Sequence, residues 1–168
     1  VQTCALPISR ASTPRVVIAE LHDVVGTMRE LAPAEPFTVW YTPRFSPDGR
    51  TVAASVWRSG GLRDVVLIDV ATGRIEDVTH DRAQDTGPVF SPDGRHLYFA
   101  SDRTGVSNIY SYHLASGTLR QVTNVLMGAY QPAISPSGDE LAYIGYTAFG
   151  FDLFTMPVTP EGFRPAPA

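Results

Sequence analysis

Lysine is absent from this chain of 168 residues, and all 13 basic residues are arginine. The arginines are scattered singly, and 17 acidic residues leave a formal net charge of −4. A nucleic-acid-binding surface needs clustered basic side chains that neutralise phosphates. The composition therefore predicts no nucleic-acid partner, and an arginine bias of this kind is typical of a GC-rich genome.

Long apolar runs are missing as well. None approaches the roughly 18 residues that a membrane-spanning helix needs, so we expect no membrane span in this chain. The hydrophobic fraction of 43% is ordinary for one globular domain that is long enough to bury a core.

Motifs of known catalytic chemistry are also missing. The sequence has no G-x-S-x-G nucleophile turn, no H-E-x-x-H zinc motif and no phosphate-binding glycine loop. The four histidines, His22, His80, His96 and His113, occur singly. Strand order places His80 and His96 toward opposite rims of the predicted fold. We therefore predict no catalytic residues, no metal site and no cofactor.

Cysteine is nearly absent, and the single Cys4 lies in an unusual segment. Val1–Ser9, VQTCALPIS, resembles the translation of a common sequencing-library adapter. Our hypothesis is that residues 1–9 are read-through, so we expect them not to pack against the rest of the chain. On that hypothesis Cys4 carries no information about the redox compartment.

What the chain does contain is an internal repeat. The sequence SPDGR occurs at Ser46–Arg50 and Ser91–Arg95, and SPSGD follows at Ser135–Asp139, with spacings of 45 and 44 residues. Three apolar segments, DVVLIDV from Asp64, NIYSYHL from Asn108 and DLFTMPV from Asp152, align at an offset of 44. Two registers that agree in this way indicate a repeat architecture.

Each repeat predicts four short antiparallel strands, bounded by Gly, Pro, Asp and Ser. Four strands in about 44 residues are typical of one blade of a β-propeller. The prediction is an all-β propeller arc of about three and a half blades, an incomplete ring whose remainder the missing part of the chain would supply. We divide it into the end of a truncated blade at 10–38, propeller repeats at 39–158 and a Pro-rich tail, or fragment end, at 159–168.

The SPDG segments have the chemistry of tight turns. Proline presets φ for the second turn position, and glycine adopts positive φ without a Cβ clash. The third copy carries Ser137 where the others carry aspartate, so we interpret the aspartates as structural. The predicted structural turn residues are Pro47, Asp48, Gly49, Pro92, Asp93, Gly94, Pro136 and Gly138.

These residues resemble the TolB-like propeller repeat of bacterial envelope proteins, which is related to WD40-like repeats. The second repeat, FSPDGRHLYFASDRTG from Phe90 followed by NIYSYHL, matches the family pattern almost throughout. The resemblance implies a periplasmic or cell-envelope location and a non-catalytic role in binding a protein or envelope component. Similar repeats also form the substrate-gating propeller of prolyl-oligopeptidase-like serine peptidases, which is the alternative.

Strand order divides the connections between two rims. The turn rim carries the short SPDG turns and the turns between third and fourth strands. The loop rim carries the loops at 57–63, 102–107 and 146–151 and the links at 80–87 and 124–130, which differ in every copy. Variable loops on a rigid scaffold usually carry function. We therefore predict that the loop rim binds the partner through Trp57, Arg58, Arg63, Arg103, Tyr130, Tyr146 and Phe149.

Overall fold

The computed structural model describes residues 3–10, 13–33 and 35–167. They form four antiparallel sheets in chain order. The first sheet holds β1 (Thr3–Arg10), β2 (Thr13–Glu20) and β3 (Arg29–Ala32), with a four-residue helix α1 (Val24–Thr27) between β2 and β3. The second holds β4 (Val39–Phe45), β5 (Thr51–Trp57), β6 (Arg63–Asp69) and β7 (Ile75–Asp77).

The third sheet has five strands and the fourth has three. The third holds β8 (Thr86–Phe90), β9 (His96–Ser101), β10 (Asn108–His113), β11 (Thr118–Gln121) and β15 (Arg164–Pro165). The fourth holds β12 (Ala129–Ile134), β13 (Glu140–Thr147) and β14 (Gly150–Pro157). The predicted all-β propeller fold is confirmed, and the ring is open.

Three apolar clusters hold neighbouring sheets face to face. Residues alternate along β5, so that Val52 and Ala54 face the first sheet while Ala53 faces the third. The third and fourth sheets share a cluster that includes Ile109 and Leu141, both with 0% exposure. Among the residues that the structure describes, none covers the outer side of β14, where Leu153 is 73% exposed. The fourth sheet therefore ends the arc with an open apolar face.

Each SPDG turn is held by hydrogen bonds to an aspartate carboxylate, which stands at the third position of the motif in two copies and at the fifth position in the third copy. Asp93 Oδ1 accepts hydrogen bonds from Ser91 Oγ at 2.5 Å and from the Arg95 N–H at 3.0 Å. In the third copy Asp139, two positions further on, accepts instead from the Ser135 and Ser137 hydroxyls. These hydrogen bonds lower the pKa of Asp93 and of Asp139. The carboxylate has moved within the turn and has not been lost.

Residues 3–9 correct one prediction, while residues 1 and 2 lie outside the described ranges. Thr3–Arg10 forms β1, which pairs with β2 along its whole length, and Ala5 packs against the first apolar cluster. The expectation that this segment stays unpacked is wrong. Strand pairing uses backbone N–H and C=O groups, so an open sheet edge accepts an extended segment of almost any sequence. The adapter hypothesis concerns the origin of the segment and stays a prediction.

The tail also packs. A 3-10 turn at Pro160–Gly162 brings Phe163 into the apolar cluster that the third and fourth sheets share, where it is 6% exposed. β15 then pairs with β11. The tail therefore extends the third sheet instead of completing the fourth.

Candidate functional site

The innermost strand carries the same bend in the second, third and fourth sheets, which we call the first, middle and third blades. β4 contacts β8, and β8 contacts β12, so these first strands are neighbours on one side of the arc. Each pairs irregularly with its second strand, after Tyr41, Thr86 and Tyr130 respectively. The next residue has positive φ in each of these three blades, 46° at Thr42, 64° at Gly87 and 48° at Gln131, and a proline follows. Such bulges redirect the neighbouring side chains.

One cavity collects the redirected side chains. It has a volume of ≈ 730 Å³ and lies along the bulges. Its lining residues are Tyr41, Thr42, Arg63, Thr86, Gly87, Tyr130, Gln131, Ile144 and Phe151. An adjoining cavity of ≈ 460 Å³ shares Arg63, Thr86 and Tyr130 with it. We call the larger one the bulge cavity.

The bulge cavity exists because the middle blade has small side chains at repeat-equivalent positions. In the first blade the Arg63 guanidinium lies 4.5 Å from the centre of the Tyr41 ring. In the third blade Phe151, at the position equivalent to Arg63, lies 6.3 Å from Tyr130. The middle blade carries Thr86 and Ser107 at the same two positions. Two bulky pairs therefore flank a gap.

Four of the seven predicted rim residues lie at or beside the bulge cavity. Arg63 and Tyr130 line it, and the Tyr146 ring lies 4.9 Å from Phe151. Trp57 is the direct β-ladder partner of Arg63. Phe149 is 100% exposed at the tip of the β13–β14 hairpin.

Arg103 forms ion pairs within the molecule, and its predicted partner-binding role stays a prediction. Its side chain is only 12% exposed, and Nη2 donates to both carboxylate oxygens of the buried Asp85 at 3.3 Å. Nη2 also lies 3.3 Å from Asp81, and the guanidinium lies 5.0 Å from the centre of the Tyr110 ring. Burial raises the pKa of Asp85, while hydrogen bonds from Ser101 and Thr79 and the Arg103 charge act in the opposite direction. Arg103 therefore connects the loop at 102–107 to the link at 80–87 between two blades.

Arg58, which occupies the equivalent position in the first blade, is likewise held within the molecule. Its Nη2 donates to Asp77 at 2.7 Å, and its Nη1 lies 3.7 Å from the buried Asp64. These contacts give Arg58 a structural role, and its predicted partner-binding role stays a prediction. Both arginines lie in loops, but each neutralises a carboxylate that the fold has buried.

Sequence reasoning missed seven lining residues, which are Tyr41, Thr42, Thr86, Gly87, Gln131, Ile144 and Phe151. All seven lie in strands of the structure. The prediction placed Thr86, Gly87 and Phe151 within variable loop segments without selecting them, and it did not consider the other four. The signal was present, because the register that aligns Asp64, Asn108 and Asp152 also aligns the residues just before them, Arg63, Ser107 and Phe151. A substitution pattern of Arg, Ser and Phe at one repeat position marks a place that the scaffold leaves free to vary.

Two histidines line a separate cavity on the turn rim. His96 and His113 are cross-strand partners with ring centres 4.9 Å apart, and they line a cavity of ≈ 410 Å³ with Arg120 and Glu161. His113 Nδ1 lies 2.8 Å from the Ser116 hydroxyl. Across the described ranges, no group of three or more His, Cys, Asp or Glu side chains is placed to hold a metal ion.

Radially arranged antiparallel sheets, inner strands in mutual contact and a variable rim define a β-propeller built from repeats. The chain belongs to the TolB β-propeller family, because the model of the TolB beta propeller domain matches residues 10–163. No helix of the described ranges is long and apolar enough to cross a membrane.

Two curated relatives extend over part of the chain. An uncharacterised protein of Agrobacterium fabrum is 34% identical over 116 residues, which are 67% of this chain and 38% of that protein. The Tol-Pal system protein TolB of Francisella tularensis subsp. holarctica is 37% identical over 87 residues, which are 49% of this chain and 19% of that protein. The chain thus spans well under half the length of either relative.

Solved structures share the fold. TolB from Acinetobacter baumannii superposes with a TM-score of 0.81 at 22% identity, over 92% of this chain and 38% of that chain. A puromycin-hydrolyzing peptidase of Mycobacterium tuberculosis gives 0.66 at 21% identity, over 97% of this chain and 28% of that chain. At these identities the likeness concerns the fold alone.

Proposed function

We propose that this chain is a non-catalytic binding scaffold of TolB type, whose loop rim binds a protein or another component of the bacterial cell envelope. The observation that carries the proposal is the convergence of Arg63, Tyr130, Tyr146 and Phe151 on one side of the arc. Arginine and exposed aromatic residues dominate the energetics of protein interfaces. All four side chains belong to strand residues.

Family membership supports an envelope location. One relative is named as a protein of the Tol-Pal system, and the family resemblance of the repeats implies the periplasm. A binding role also agrees with the lack of a catalytic motif in the sequence.

A second candidate is the propeller domain of a larger enzyme, such as a prolyl-oligopeptidase-like serine peptidase. The shared fold with a puromycin-hydrolyzing peptidase favours it. There the propeller would admit or exclude substrate, and the nucleophile would lie in another domain. The uncut gene separates the two candidates, because only the peptidase needs a G-x-S-x-G motif followed by Asp and His.

Site-specific photo-crosslinking tests the proposed rim in the full-length protein. A photoreactive phenylalanine replaces Phe149, which is fully exposed, and in a control variant it replaces Arg95 on the turn rim, whose side chain is 76% exposed. We expect the Phe149 position to give a defined crosslinked envelope protein and the Arg95 position to give none. Crosslinks from Arg95 alone would place the partner on the other rim.

Paired substitutions then measure the contribution of the cavity. Tyr130→Ala with Phe151→Ala should weaken binding of the crosslinked protein by at least ~1 kcal/mol. Charge reversal of Arg50 and Arg95 on the turn rim should have almost no effect. The reverse pattern would refute the choice of rim.

A further inference from the structure

Arg63 is the cation of the bulge cavity, and its hydrogen-bonding capacity is not used. Its Nε is buried and has no hydrogen-bond partner. Within residues 3–10, 13–33 and 35–167, its side chain makes neither an ion pair nor a hydrogen bond. Arg58, five residues earlier, lies 2.7 Å from an aspartate. The fold has therefore placed one guanidinium against a cavity without supplying its anion.

The geometry of Arg63 suits a carboxylate. Its guanidinium carbon lies 4.5 Å from the centre of the Tyr41 ring, a contact that occupies none of the N–H donors. Because Nε is buried, the donors left for a ligand are those of the two terminal nitrogens. A guanidinium edge presents parallel N–H donors that match the two oxygens of a carboxylate. The acidic residue that lines the adjoining cavity is Asp102, whose Oδ1 already accepts the Gln84 N–H at 2.7 Å.

The opposite wall of the bulge cavity is apolar. Tyr130, Ile144 and Phe151 form it, and the gap left by Thr86 and Gly87 separates it from Arg63. The volume of ≈ 730 Å³ lies within the roughly 300–1,000 Å³ of typical ligand pockets. A small inorganic anion would satisfy Arg63 but would leave this wall in water. An acidic side chain followed by an apolar one would satisfy both.

We infer that the bulge cavity binds a peptide segment of the partner that carries a Glu or Asp next to an apolar residue. The carboxylate binds the Arg63 edge, and the apolar side chain fills the gap between the first and third blades against Tyr130 and Phe151. This inference rests on the proposed function and specifies the chemistry of the partner at the same site.

Arrays of capped heptapeptides test it with the full-length protein. One array has Glu at its centre, flanked by Leu, Phe, Val or Ala in all combinations, and a matched array has Gln in place of Glu. We expect the best Glu peptides to bind about tenfold more tightly than their Gln counterparts, since a charge-assisted bidentate pair is lost with the carboxylate. Fluorescence anisotropy of labelled copies gives the ratio.

Four variants test whether that ratio arises in the bulge cavity. Arg63→Gln should abolish the preference for Glu, and Arg63→Lys, which keeps the charge but loses the paired donors, should keep only part of it. Arg74→Gln, which alters an exposed arginine paired with Glu76, should leave the preference unchanged. Thr86→Tyr should block both arrays by filling the gap, and it should fold, because Tyr41 and Tyr130 occupy the equivalent positions.

The outcomes separate this inference from the proposed function. Equal binding of Glu and Gln peptides, a Glu preference that survives Arg63→Gln, or no binding by either array would overturn the acidic-peptide inference. If the Phe149 crosslink forms in spite of such a result, the loop rim still binds a partner, but by other contacts. Failure of the crosslink itself contradicts the proposed function.

Discussion

Replacing Arg103 should destabilise the chain more than replacing any exposed arginine, because it leaves Asp85 buried without its cation. Asp85 has 0% exposure, and Arg103 Nη2 contacts both of its carboxylate oxygens at 3.3 Å. Arg103→Met keeps most of the side-chain volume, so the loss is mainly one of charge and hydrogen bonds. Breaking a buried pair in this way costs about 3–5 kcal/mol.

Protonation of Asp85 sets an upper limit on that cost. A buried carboxyl that loses its cation can take up a proton, and one pKa unit corresponds to about 1.4 kcal/mol. Neutralising a carboxyl with an ordinary pKa therefore costs about 4 kcal/mol at pH 7 but only about 1.5 kcal/mol at pH 5. Burial already raises the pKa of Asp85, so a folded state with protonated Asp85 gains stability as the pH falls. The penalty of Arg103→Met should shrink accordingly.

Urea denaturation at pH 7 and pH 5 measures this penalty, with fluorescence of the buried Trp40 as the probe. Arg74→Met, which breaks an exposed pair with Glu76, is the control and should change the free energy of unfolding by at most ~1 kcal/mol at either pH. Asp85→Asn added to Arg103→Met should recover part of the loss at pH 7. A penalty below ~1 kcal/mol at pH 7, or one independent of pH, would refute the role of Arg103 as the cation of a buried carboxylate.

Three further predictions concern the stability of the scaffold, and a fourth concerns the origin of Val1–Ser9. Asp93→Ser should cost about 1 kcal/mol of unfolding free energy, and adding Arg95→Asp, which copies the third turn, should restore most of it in the same urea assay. Burial and the neighbouring His113 lower the pKa of His96, so its contribution to stability is complete above the ordinary histidine pKa and is lost as the pH falls from there through the lowered pKa of the folded state. The pH dependence of the urea midpoint should weaken in His96→Asn, and an unchanged profile would contradict this. Hydrogen exchange should protect β9 and β10 more than β1 and β14, which lie at the open ends of the arc, and uniform protection in a dilute monomer would contradict the open-arc interpretation. Reads from the source genome should continue upstream of residue 10 in a sequence other than that of Val1–Ser9, whereas reads that encode this segment would exclude the adapter hypothesis.

The fold could be predicted from the sequence because its determinants are local and repeated. The SPDG turns and the alternating strands recur at 44 or 45 residues, so each copy supports the assignment of the others. Local chemistry did not reveal that Asp139 takes the place of an aspartate two positions earlier, since that exchange depends on where the Ser135 hydroxyl points.

The candidate site was predicted only in part because loop variability does not show which charges meet in space. Arg103 and Arg63 look alike in sequence, each in a variable loop of the same rim. Only the fold brings Asp81 and Asp85 to Arg103, while it brings the Tyr41 ring to Arg63. The first arginine therefore contributes to stability, and the second stays free to bind.

The bulges explain how this fold can vary its binding site without losing stability. Thr42 and Gln131 adopt a positive φ that costs a non-glycine residue about 1–2 kcal/mol, yet the bend recurs in all three blades. The strand ladder and the following proline must therefore impose the bend, whichever residue occupies it. The side chains at this bend, together with Arg63 and Phe151 at the start of a third strand, line the bulge cavity. They contribute little to the cores between the sheets. Exchanging them should change what the cavity accepts while the blades keep their packing, and Tyr, Thr and Tyr at the first of these positions are three such exchanges within one chain.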